Sequence, residues 1–313
     1  MHDFDRRLGT GLAVLAILVM AMPARAESVP SPAAVPLQSF DAGSLHVDRF
    51  GKGDHTVVLI PGLACGRWVW DREIAKLSPN HSVYAITLPG FDGRPGIKEE
   101  SLFTAFKRDF WEMLKTQKIE KPVVIGHSLG GTMAIALGEE HSERLSGIIA
   151  ADGMPVFPSF ANVTPEQRKT AAKQMAGNFE TMSKDDLFNA MKSYMSMVGT
   201  NKPELIELAA RQMARSDPKA IAAWTQEDTA IDLRPNLTRL TAPFLVIVPY
   251  DPSEEKQDGM STAKQKSDLY KEILKGAPQA RVTSVSPSLH FMMLDQPDAF
   301  EKTVSEFLSS IHW

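Results

Sequence analysis

The run PVVIGHSLGGTMAIALG, residues 122–138, allows the backbone very few paths. Val123, Val124 and Ile125 form a short β-branched run of the kind buried on both faces of a parallel sheet. From Leu129 to Glu140 the chain reads as an apolar helix. Strand must therefore become helix within a residue or two, and Ser128 sits at that corner between Gly126 and Gly130. A turn so tight leaves no room for side chains two positions either side of the serine, which the two glycines accommodate. It also strains the serine backbone and lifts Oγ above the sheet, where the first N–H groups of the helix converge. A hydroxyl held there is placed as a nucleophile.

The rest of the chain supplies a sheet for that corner. Runs at 44–50, 56–62, 81–90 and 145–153 read as strands, with helices over 102–118 and 129–140. Strand and helix in alternation imply crossover connections and a mostly parallel central sheet flanked by helices, an α/β fold. The rhythm breaks after Met154. TPEQRKTAAKQMAGNF, SKDDLFNAMKSYMSMVG and KPELIELAARQMARS each have a polar start and a helical pattern, and no strand stands between 154 and 236. That block reads as an inserted helical cap. Strands resume at 242–251 and 280–286, with helices over 261–275 and 297–311. The core is thus expected over 41–153 and 237–313.

The first 26 residues are of another kind. Arg6 and Arg7 precede an apolar run, and ARA at 24–26 ends it, the pattern of a cleavable export signal. The run is shorter than the ~20 residues that span a bilayer, so no stable membrane insertion after cleavage is expected. Residues 27–40, rich in proline and small side chains, read as a linker. The location expected is periplasmic or secreted. Cys65 is the chain's only cysteine, so no internal disulfide forms and the core alone must hold the fold. Net charge is −4, which carries no nucleic-acid footprint. The histidines are scattered without ligand spacing, so no metal is expected, and GKGD near residue 51 lacks the pattern of a phosphate loop, so no cofactor is expected.

Four segments, LIPGLACGRWVW, TLPGFDGRP, VIGHSLGGTMA and SLHFMMLDQPDAF, resemble the α/β-hydrolase superfamily, in its cap-bearing serine hydrolase and esterase branch. The resemblance covers nearly all of residues 40–313 and implies a catalytic triad in the order nucleophile, acid, histidine. GHSLG places Ser128 as the nucleophile. His290, in the loop after the last strand, takes the place of the general base. Two carboxylates stand at strand ends for the acid: Asp251 after FLVIVPY, the first choice, and Asp152 in AADG, the alternative. VPYDPSEEKQDG offers Glu254, Glu255 and Asp258 as well. The resemblance assigns the oxyanion hole to the backbone N–H groups of Leu129 and Leu63, although Pro61 stands where relatives usually carry histidine. His127, inside the motif, reads as a packed or hydrogen-bonded neighbour, and Cys65 as a buried structural thiol.

The cap carries Met175, Met182, Met191, Met195, Met197 and Met213 with Phe179, Phe188, Tyr194 and Trp224. Most of these are expected to form the cap's own core, and the remainder to offer an adaptable apolar pocket. The reading is a hydrolase of carboxylic esters of small to medium apolar substrates, acting through an acyl-enzyme. Amide, lactone or carbon–carbon bond hydrolysis, acyl transfer, perhydrolysis and a non-catalytic binding protein are the alternatives on the same scaffold. The partner expected is a small-molecule substrate; oligomeric state is not legible.

Overall fold

A computed structural model of the chain describes residues 34–254 and 259–313. The export signal read over 1–26, residues 27–33 of the linker, and Glu255 and Asp258 lie outside the described residues.

Eight strands form one sheet: β1 (Gln38–Ala42), β2 (Leu45–Phe50), β3 (Thr56–Ile60), β4 (Ser82–Thr87), β5 (Val123–His127), β6 (Gly147–Ala151), β7 (Phe244–Pro249) and β8 (Ala280–Val285). Their spatial order is β1-β2-β4-β3-β5-β6-β7-β8. β2 runs antiparallel to both neighbours, and every pair from β4 to β8 is parallel. The β-branched runs explain the interior: every residue of β4, β5, β6 and β7 is buried. Each such Val, Ile or Leu contributes about 1.5–3 kcal/mol by leaving water.

The chain first moves from β3 outward to β4, then returns to place β5 on β3's other side. That reversal opens a crevice beyond the carboxyl ends of β3 and β5, where open parallel sheets receive ligands. Ser128 follows β5 directly, and the Leu63 loop follows β3.

One boundary differs from the expectation. Residues 38–40, assigned to the linker, belong to β1, which pairs with β2 from Gln38↔Arg49 to Ala42↔Leu45. Gly43, at φ +59°, closes the hairpin between them in a backbone region that glycine enters freely. The pairing partner, rather than local composition, makes this segment a strand. The short helix α1 (Asp71–Leu77) was also not foreseen.

Helices α2 (Leu102–Thr116) and α3 (Leu129–His141) flank the sheet. Between β6 and β7 lie α4 (Pro165–Glu180), α5 (Lys184–Tyr194), α6 (Pro203–Met213) and α7 (Pro218–Ala230), with no strand among them. Their starts follow the local sequence. Thr164 with Gln167, and Ser183 with Asp186, form capping boxes, and proline opens α4, α6 and α7. The π-helical turn Met195–Gly199 prolongs α5. The chain closes with α8 (Ala263–Ile273), α9 (Met292–Asp295) and α10 (Pro297–Ser309).

Candidate active site

Ser128 occupies φ 54°, ψ −123°, a backbone state that costs a non-glycine residue of order 1–3 kcal/mol. The neighbouring glycines are required by contact. A β-carbon on Gly126 would stand 2.0 Å from the Gly130 carbonyl oxygen, and one on Gly130 would stand 2.3 Å from that of Ile60. Helix α3 therefore crosses the end of β3 at backbone distance and starts beside it. The Ser128 carbonyl accepts from the Gly131 and Thr132 amides at 2.8 and 3.0 Å, whereas Leu129, the first helical residue, has no carbonyl one turn back inside the helix. The β3 loop closes on the same corner: a β-carbon on Gly62 would lie 3.0 Å from Ser128 Cβ. Leu63, next in that loop, and Leu129 thus flank the serine along the backbone.

The sheet carries Asp152 to the neighbouring strand end. His127 of β5 pairs with Ala151 of β6, and Ser128 N–H donates to the Ala151 carbonyl at 2.9 Å. Asp152 comes next, itself at φ 51°, which aspartate tolerates better than most residues. Its Oδ2 lies 2.5 Å from His290 Nδ1, with the two side chains only 13% and 14% exposed. Tyr270 of α8 donates its hydroxyl to Asp152 Oδ1. Burial works to raise the Asp152 carboxyl, but the His290 charge and hydrogen bond, the Lys266 charge and the Tyr270 hydroxyl prevail and draw it down to about 2. An ionised carboxylate can only accept, so His290 Nδ1 carries the proton that bonds it and Nε2 is left as the basic nitrogen in the neutral ring.

This corrects the first choice of acid: Asp152, the alternative, and not Asp251, meets His290. Asp251 Oδ1 accepts from the Ser253 amide and hydroxyl at 2.9 and 2.6 Å, and Oδ2 accepts from Asn201 Nδ2 at 3.0 Å. Burial raises its carboxyl, yet these bonds to Ser253 and Asn201 leave it below the usual carboxylate range. Asp251 belongs to a clasp between the inserted helices and the His290 loop. Asn201 Nδ2 also donates to the Pro287 carbonyl at 3.2 Å, and Asp295 accepts from the Leu289 amide at 2.8 Å, the Asn201 amide and the Thr200 hydroxyl. The His290 and Phe291 amides donate to Val198 and Gly199 of the π-turn at 3.0 and 2.8 Å. The insertion therefore holds the backbone on which His290 stands. No motif announces Thr200, Asn201 or Asp295, because each acts through a partner about 50 to 95 positions away in the chain.

His127 is fully buried, with its ring centroid 4.5 Å from that of His290. Burial and the His290 charge push it down to about 3, so it is neutral, and its Nε2 lies 3.1 Å from the His290 carbonyl oxygen, to which it donates. It is a hydrogen-bonded neighbour, as expected. Cys65 is buried, and burial pushes its thiol far up. Tyr194, at the end of α5, sets its ring edge-on to His290 at 6.2 Å. Among the described residues there is no group of three or more His, Cys, Asp or Glu placed to hold a metal ion, and no helix long and apolar enough to cross a membrane.

Known proteins share the sequence pattern and the fold of this chain. The model of the alpha/beta hydrolase family matches residues 57–303. The chain is 22% identical over 259 residues to a pimeloyl-(acyl-carrier protein) methyl ester esterase of Vibrio vulnificus strain YJ016, covering 82% of this chain and 94% of that protein. It is 24% identical over 275 residues to a 2-hydroxy-6-oxononadienedioate/2-hydroxy-6-oxononatrienedioate hydrolase of a Pseudomonas species, covering 85% and 92%. Among solved structures, a thermophilic esterase from Thermogutta terrifontis superposes with a TM-score of 0.71 at 20% identity, over 88% of this chain and all of that one. The matched family model spans most of the chain: it belongs to the alpha/beta hydrolase family and is a hydrolase.

Proposed function

We propose that the protein is a serine hydrolase that cleaves carboxylic esters of small molecules through an acyl-enzyme, with Ser128, His290 and Asp152 as its triad. One observation carries this reading: a serine on a strained strand–helix corner, one strand away from a buried aspartate paired with a histidine. Ser128 Oγ attacks the scissile carbonyl while His290 Nε2 takes its proton. The developing oxyanion is held by the Leu63 and Leu129 amides, worth about 3–4 kcal/mol for a single donor in a comparable hole. Collapse of the tetrahedral adduct expels the alcohol, which receives the proton from His290. Water then repeats the sequence and frees the acid. Asp152 fixes the ring tautomer and stabilises the imidazolium; it stays ionised throughout.

Ester hydrolysis is favoured over carbon–carbon cleavage because esterases stand both among the curated relatives and among the structural ones. The export signal read in residues 1–26 is part of the proposal, and N-terminal sequencing of the mature protein from a periplasmic fraction tests it. The central test is hydrolysis of p-nitrophenyl esters of graded chain length by wild type and by Ser128→Ala. A fall in kcat on the order of 10⁶ supports the assignment; turnover that persists in the variant overturns it.

A further inference from the structure

One buried carboxyl near this site takes no part in the chemistry above. Asp228, on α7, is 9% exposed, and its Oδ1 is buried with no hydrogen-bond partner. Thr225, one turn earlier on the same face of α7, has a buried hydroxyl that is likewise without a partner. Helix α7 has a fixed register. Glu227 caps the start of α2 through Ser101 Oγ and the Leu102 and Phe103 amides, and Trp224 Nε1 donates to the Pro89 carbonyl at 3.1 Å. Burial raises the Asp228 carboxyl to about 7; the Thr132 hydroxyl and the His290 charge draw it down only in part, and no lysine or arginine is among the groups acting on it. Those two neighbours place it. Thr132 lies in the first turn of α3, its amide bonded to the Ser128 carbonyl, and His290 is the proposed base. The carboxyl therefore lies near the elbow and the base, on the inserted helices, with its Oδ1 left without a partner.

A buried carboxyl oxygen left without a partner is costly, and that cost is relieved when a ligand supplies the missing donor. Apolar substrates would leave it unrelieved. We infer that Asp228, with Thr225, forms a polar subsite that selects substrates carrying a hydrogen-bond-donating group, a hydroxyl or an ammonium, apart from the scissile ester. This rests on the ester-hydrolase reading and replaces the wholly apolar substrate expected from the methionines with one that is apolar but singly functionalised. Discrimination of this type is strong, because a site built around a polar contact rejects the analogue that lacks it.

The test uses matched methyl esters that differ by hydroxyl against methyl: 3-hydroxybutanoate against 3-methylbutanoate, and 6-hydroxyhexanoate against heptanoate, with 6-aminohexanoate as the cationic arm. The quantity read is the ratio of kcat/KM within each pair. In the wild type at least one donor-bearing ester is expected to exceed its methyl isostere by tenfold or more, and Asp228→Leu to bring that ratio to about one. Asp228→Asn keeps an accepting oxygen without the charge, so it is expected to retain a hydroxyl preference and lose an ammonium one. Because a ratio is read, partial loss of folded protein does not imitate the result. Esters hydrolysed with no donor preference, or with a preference that survives Asp228→Leu, overturn the inference. Absence of hydrolysis on every ester, isosteres included, instead refutes the ester-hydrolase reading beneath it.

Discussion

Glu73 gives a prediction whose size follows from the structure. It lies on α1, 2% exposed, with both carboxyl oxygens buried and bonded to no other residue. Burial, with smaller pushes from Glu301 and Asp71 against a bond to its own backbone and the charge of Arg72, raises its carboxyl from an ordinary 4.5 to about 8. The folded chain thus keeps this proton up to about pH 8, while the unfolded chain releases it near 4.5. Unfolding releases a proton between those values, so stability falls by ~1.4 kcal/mol per pH unit across that window. Below 4.5 both states are protonated and the penalty vanishes. At pH 7 it amounts to about 3 kcal/mol, a large share of the 5–15 kcal/mol typical of a domain. Glu73→Gln keeps the shape of the neutral acid and cannot ionise. Urea unfolding followed by tryptophan fluorescence is expected to show the variant more stable by about 3 kcal/mol at pH 7 and nearly equal to wild type at pH 4.5. Parallel stability curves for the two proteins from pH 4.5 to 8 would refute the reasoning. The position matters to the site, since α1 follows directly on the Arg67–Trp70 turn that packs Trp70 against His127.

Two further substitutions separate the parts of the site. Asp152→Asn is expected to lower kcat on the order of 10⁴-fold with KM little changed, whereas Asp251→Asn stays within about tenfold and loses about 1 kcal/mol through the weakened clasp to Asn201 and Ser253; steady-state kinetics on one ester decide it, and the reverse ranking would restore Asp251 as the acid. Because the Asp152 carboxyl is held down at about 2, the stability it contributes is complete above its ordinary 3.8 and is lost as pH falls from there toward 2. Gly130→Ala drives a methyl to 2.3 Å from the Ile60 carbonyl oxygen, and is expected to cost about 1–3 kcal/mol and most of the activity, read by thermal melting and turnover.

Much of the proposed site rests on signals that are local in the sequence. Ser128 needs glycines at fixed offsets, and the collision distances at Gly126 and Gly130 give the physical reason. His290 is proposed from its place after the last strand. The acid was not decided by the same means, because both Asp152 and Asp251 stand just beyond a strand, and a strand end says nothing about which column of the sheet it occupies. The order β5-β6-β7 sets the two apart: β6 lies against the strand that leads into Ser128 and β7 one place further out. β1 was missed because the proline-rich stretch before it runs into it without a break in composition, and its pairing with β2 is what makes it a strand. Asp228 carried no signal at all, since an aspartate on a helix is ordinarily a solvated residue and only the packing of α7 buries it.

The proposed chemistry requires an activated hydroxyl at position 128, and covalent capture reads that property without knowledge of the substrate. Native protein treated with a fluorophosphonate and digested should show one adduct, on the peptide containing Ser128, with labelling slowed by orders of magnitude in His290→Ala. An unlabelled Ser128 in folded wild-type protein, or labelling as fast without His290 as with it, would contradict the account.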